Sequence, residues 1–168
     1  MFQKVSLILA ICLVVLSSCS KEEAENQSQV IGEWKLTNYS IGTAHDINKD
    51  GWSHLNLLHE IDCDDSEILK FETTGVVSSN ETYNPTIQIS KSEVDNTYVF
   101  NIECAEGIIS FATSFNQITS NTFQFNDKEF TIINNTFNIV LVEDIKIYNV
   151  DFSQIIETRD LVLTYTKL

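Results

Sequence analysis

The chain has 168 residues and a formal net charge of −14, enough length for one domain with a core of its own. So large an excess of acid argues against nucleic acid or anionic lipid headgroups as partners, and suits solubility or a bound cation. Five glycines and a single proline point to tight turns rather than long loops.

The N-terminus sets the expected compartment. One basic residue, Lys4, precedes the apolar run SLILAICLVVL, which is too short for a comfortable membrane span. Leu16-Ser17-Ser18-Cys19 follows: an aliphatic residue, two small ones and a cysteine. This resembles the lipobox of bacterial lipoproteins. The resemblance implies that residues 1–18 are a signal peptide and that Cys19 is acylated and becomes the new N-terminus. Two or more acyl chains make a stable anchor. Ser20-Lys21-Glu22-Glu23 resembles the surface-export signal of some Gram-negative lipoproteins. Residues 19–29 also read as a solvated acidic tether, because AENQSQ has no apolar residue beyond alanine. The expected location is the outer membrane, exposed at the cell surface, with a periplasm-facing orientation as the alternative.

The folded domain is expected over residues 30–168. Its first strand alternates Trp34 and Leu36 with Glu33, Lys35 and Thr37. An acidic stretch, DINKDGWSHLNLLHE, comes next. Asp46, Asn48 and Asp50 occupy positions 1, 3 and 5 of a calcium loop, Gly51 allows the sharp turn at position 6, and Trp52 offers its carbonyl at position 7. Position 12, where a bidentate glutamate belongs, is Leu57. Glu60 lies one helical turn further on and is the candidate replacement, with Asp62, Asp64 or Asp65 behind it. The same residue types also make Asx turns without metal. The expectation is a structural Ca2+ site of low affinity. His45, His54 and His59 flank the loop without HExxH or another zinc spacing and are expected on the surface. SHLNLLHEI is the candidate short helix, capped by Ser53, with Leu55, Leu58 and Ile61 facing inward.

Cys12 leaves with the signal peptide and Cys19 carries lipid, so Cys63 and Cys104 remain in an oxidising compartment and are expected to pair. Neither lies in a CxxC or beside a histidine. Short runs of period two then follow: Leu69 with Phe71; Tyr98, Phe100, Ile102 and Cys104; Ile109, Phe111 and Phe115. Phe123 with Phe125, Phe130 with Ile132, and Phe137, Ile139 and Leu141 continue the pattern. Ile145 with Ile147, and Leu161, Leu163 and Tyr165, complete it. Turn-like ETTG, Asn84-Pro85, AEG, SN, ND and NN separate them. The expected fold is all-β: an antiparallel meander barrel of eight to ten strands, with a short helix in an inserted loop. A two-sheet sandwich is the alternative.

Ile31-Gly32-Glu33-Trp34-Lys35-Leu36 resembles the G-x-W opening of lipocalin-like domains. With the inserted DxNxDG segment, the leucine-rich turn, the cysteine and the run of strands, the layout is similar to lipocalin-like lipoproteins of Gram-negative bacteria. The resemblance implies a fold more than an activity. Nucleophile elbow, catalytic triad motif and phosphate-cradling glycine loop are all missing from the sequence, so a non-enzyme is expected. Trp34, Phe100, Phe111, Phe115 and Phe125 are the candidate lining of a ligand cavity, or else core filling. Two function classes stay open. One is a binding module for a small apolar or sugar ligand. The other is an accessory lipoprotein that docks on an envelope protein complex and has no cavity.

Overall fold

A computed structural model describes residues 29–64 and 66–168. The expected signal peptide, Cys19 and nearly all of the tether lie outside the described residues. Among the described residues eleven strands run in order: β1 (Gly32–Ser40), β2 (Ile68–Phe71), β3 (Val76–Ser79), β4 (Thr86–Lys91), β5 (Tyr98–Glu103), β6 (Phe111–Ser114), β7 (Asn116–Gln117), β8 (Thr122–Phe125), β9 (Lys128–Thr131), β10 (Thr136–Tyr148) and β11 (Ile155–Lys167). The all-β expectation holds.

The closed meander does not. Eight strands form one curled half-barrel sheet in the order β5-β4-β10-β11-β1-β2-β3-β6, and β7-β8-β9 form a second, three-stranded sheet. The departure from a meander comes from the central hairpin. β10 and β11, thirteen residues each, outrun their neighbours, and the far end of β10 takes β4 as a parallel partner at Ile147↔Ile89 and Tyr148↔Ser90. The free edges are β5 and β6, consecutive in the chain and joined by residues 104–110. β10 also merges two apolar runs that look separate in the sequence. Between Leu141↔Leu161 and Ile145↔Arg159 it advances four residues while β11 advances two. Glu143 sits there at φ 52, and its N–H donates to the Asp160 carboxylate at 2.8 Å. Such a bulge bends the strand and strengthens its twist.

Alternation along the strands decides what is buried. Trp34, Leu36, Leu69, Phe71, Phe137, Ile147 and Tyr165 face the core. Phe123, Phe125 and Phe130 of the small sheet are buried, and Phe130 and Phe125 pack on the large one; ring centroids lie 4.2 Å apart for Phe130–Phe137 and 5.9 Å for Phe71–Phe125. Gly32, at φ 127, allows a backbone that a side chain would strain. A Cβ there would also stand 3.3 Å from the Lys167 stem. That stem carries its Nζ over the Trp34 ring at 5.4 Å and donates to the Gln29 carbonyl at 2.7 Å. Trp34 Nε1 donates to the Val30 carbonyl, also at 2.7 Å.

In the inserted loop the expected helix is a single 3-10 turn, Leu57–His59, capped by Asn56 rather than Ser53. Leu55 points outward at 57% exposure, while Leu57 and Ile61 are buried. Three-residue eclipsing turns Leu57 inward where α periodicity would have placed Leu55, and Leu58 packs partly buried against the core. Cys63 and Cys104 are bonded, which fastens the insertion to the end of β5. Among the described residues no helix is long and apolar enough to cross a membrane.

Candidate binding cleft and acidic loop

The concave face of the curled sheet encloses a cleft of about 430 Å³. β10 and β11 supply Ile139, Leu141, Ile145, Leu161, Leu163 and Tyr165, because alternate residues of paired strands share one face. β1 adds Tyr39, β6 adds Phe111, and the end of β8 adds Phe125, whose ring stacks on Phe111 with centroids 6.2 Å apart. The Thr82–Pro85 segment closes one side, with Tyr83 edge-on to Tyr39 at 5.2 Å. Ile87, Asn126, Lys128 and Asp144 also line it. A larger hollow, about 620 Å³ beside Thr122, Glu129 and Asn138, has a more polar wall and holds no buried charge.

Glu67 distinguishes the cleft. It is 4% exposed and sits just before β2, where its carbonyl accepts from the Leu36 N–H at 3.0 Å and fixes its backbone to β1. Its carboxyl accepts from the Tyr83 N–H at 2.8 Å and from the Tyr165 hydroxyl at 3.0 Å. Burial pushes this carboxyl up from its usual range, against the pull of those two hydrogen bonds. Burial, then the Glu67 charge, pushes the Tyr165 hydroxyl up strongly. Tyr39 is pushed up to about 12 by burial and by the Asp144 carboxylate. The Thr82 hydroxyl oxygen is buried without a hydrogen-bond partner among the described residues. A buried carboxyl, a buried hydroxyl and phenol groups in an apolar hollow form a recognition surface of few, convergent polar groups.

Of the five aromatics expected to line a cavity, two do so, Phe111 and Phe125. Trp34 is fully buried against Phe137 at 4.9 Å, and Phe115 is buried against Phe71 at 5.2 Å. Phe100 lies on the other flank, 4.7 Å from the His45 ring. No local sequence pattern marks Glu67, Tyr83 and Tyr165 as site residues. An acid preceding a strand looks like a surface residue, and only the curl of the sheet turns it inward.

The acidic loop is internally hydrogen-bonded. Asp46 accepts from the Gly51 N–H at 3.1 Å, Asn48 from the Asp50 N–H at 3.0 Å, and Asp50 from the Trp52 N–H at 2.8 Å. Lys49 and Gly51 take positive φ, 63 and 94, which winds the loop tightly. Trp52 is 74% exposed. Glu60, 3% exposed, accepts from the Ile47 N–H at 2.8 Å and contacts His54 Nδ1 at 2.5 Å. Burial raises its carboxyl, but the hydrogen bonds from His54, Ile47 and Asn48 outweigh that and hold it below its usual range. Glu60 thus closes the loop with both oxygens already engaged. Among the described residues no three His, Cys, Asp or Glu side chains gather as a ligand set. The oxygen donors of Asp46, Asn48 and Asp50 fit a hard cation in kind. His45 is half-buried rather than on the surface, its Nε2 2.7 Å from the Thr43 hydroxyl.

No family model, curated protein or solved structure matches this chain.

Proposed function

We propose that this chain is a lipid-anchored envelope lipoprotein, held at the outer membrane through Cys19, whose lipocalin-like half-barrel binds a small apolar molecule without catalysis. The observation that carries this reading is the cleft: an apolar hollow on the concave face with a buried Glu67 at its wall. The loop from Asp46 to Gly51 takes a structural calcium ion, with Asp46, Asn48 and Asp50 as side-chain ligands and the Trp52 carbonyl as a fourth. Glu60 holds the loop in shape. Affinity is low, in the range of extracellular calcium modules.

A second reading, docking on an envelope protein, draws on the β10–β11 hairpin, where Val142, Val150, Phe152 and Ile155 are exposed. Exposed apolar groups of this kind mark interaction surfaces when they are contiguous.

Native mass spectrometry of the protein purified from the envelope, before and after chelation, tests both halves. A co-purifying small molecule and a calcium-sized adduct that disappears with chelator and in Asp50→Ala are expected. A bare mass, with calcium added, overturns the metal and leaves docking as the better account. Membrane partitioning that survives Cys19→Ala overturns the anchor.

A further inference from the structure

Glu67 is a carboxyl with an upward-shifted titration that pairs with no cation among the described residues. Each of its oxygens accepts one hydrogen bond, from Tyr83 and from Tyr165. A carboxylate oxygen carries two acceptor sites, so one on each remains for a donor in the cleft. A second carboxylate, Asp144, lines the same hollow, and one cation, Lys128, stands on the lining in an exposed position. Five of the lining residues are aromatic: Tyr39, Tyr83, Phe111, Phe125 and Tyr165. The Thr82 hydroxyl adds a buried oxygen that has no hydrogen-bond partner among the described residues and is able to accept from an N–H.

These features fit one ligand chemistry. A buried acid destabilises a domain unless something balances it. Aromatic faces attract an organic cation through their quadrupole, most strongly away from water. The protein's overall negative charge steers cations toward it and anions away. Resting on the reading of the cleft as a ligand site, we propose that its ligand is an amphipathic organic ammonium, with the ammonium on Glu67 and Thr82 and the apolar body between Phe111, Leu141 and Leu163. A neutral ligand leaves Glu67 uncompensated, and an anion faces both Glu67 and Asp144.

Titration calorimetry of the full chain with three probes of one apolar body tests this: phenethylammonium, phenethyl alcohol and hydrocinnamate. The ammonium is expected to bind at least about tenfold tighter than the alcohol, with hydrocinnamate weakest; tenfold corresponds to about 1.4 kcal/mol. Glu67→Gln is expected to bring ammonium and alcohol to within about twofold of each other. If alcohol or hydrocinnamate binds as tightly as the ammonium in the wild-type chain, the charge assignment is wrong while the cleft stands as a ligand site. If none of the three binds, the cleft reading itself falls. The wild-type comparison decides the matter even if Glu67→Gln does not fold.

Discussion

Asn56 does more than cap a turn. Its Oδ1 accepts from the Tyr39 N–H at 3.0 Å and the Leu58 N–H at 3.2 Å, and its Nδ2 donates to the Thr37 carbonyl at 2.9 Å. One side chain therefore satisfies the outer edge of β1 and the 3-10 turn together. Asn56→Ala is expected to destabilise the protein by about 2 kcal/mol, since it strands a part-buried Tyr39 N–H; urea denaturation measures this. Glu67 acts in the opposite sense. Its native carboxyl titrates above its unfolded value, so ionisation opposes folding. That penalty is absent below the unfolded value near pH 4.5 and complete above the native one. Glu67→Gln is expected to raise Tm at neutral pH, with the gain vanishing as pH falls toward 4.5; thermal melts across that window check it. A residue that lowers stability where it sits is explained more readily by a ligand than by packing.

The insertion between β1 and β2 depends on its fastenings as an element. Sparse in regular structure, it is joined to the end of β5 by the Cys63–Cys104 bond across a separation of 41 residues. Closing a loop of that length contributes about 4 kcal/mol in the chain-entropy model. Reduction is expected to lower the denaturant midpoint accordingly, read by unfolding with and without reductant. Legibility varied at this scale for physical reasons. The β8–β9 hairpin announces itself, because Phe123, Phe125, Phe130 and Ile132 alternate across the turn residues Asn126 and Asp127. β4 does not: Ile87 and Ile89 are two apolar residues in a polar setting just after Pro85. The continuity of β10 depends on Asp160 reaching across to the Glu143 N–H, a contact seventeen residues away that no local pattern carries. The half-barrel likewise depends on where the long hairpin ends, which is a property of pairing. Phe111 and Phe125 were recognisable as cavity candidates by being aromatic on a strand face. Trp34 and Phe115 shared that signature and went to the core, since period two gives the face of a residue but not its depth.

Across the whole molecule the two sheets share one aromatic core, and Phe137 is its junction. Its ring lies 4.9 Å from Trp34, 4.2 Å from Phe130 and 5.1 Å from Tyr165. Phe137→Ala is expected to destabilise the fold by about 4 kcal/mol, with one cooperative transition if the sheets unfold together; a transition that splits in two between near-ultraviolet and far-ultraviolet circular dichroism would show the small sheet to be separable. The crossing of Lys167 over Trp34 to the Gln29 carbonyl, with the Leu168 N–H donating to Glu33 at 2.9 Å, has a geographical meaning. Both ends of the described chain leave from one pole, and the Asn149–Gln154 turn lies at the other, about 40 Å away at the rise of a thirteen-residue strand. A fluorophore appended after Leu168 would sit beside the start of β1, while the same fluorophore grafted into the turn would sit at the far pole.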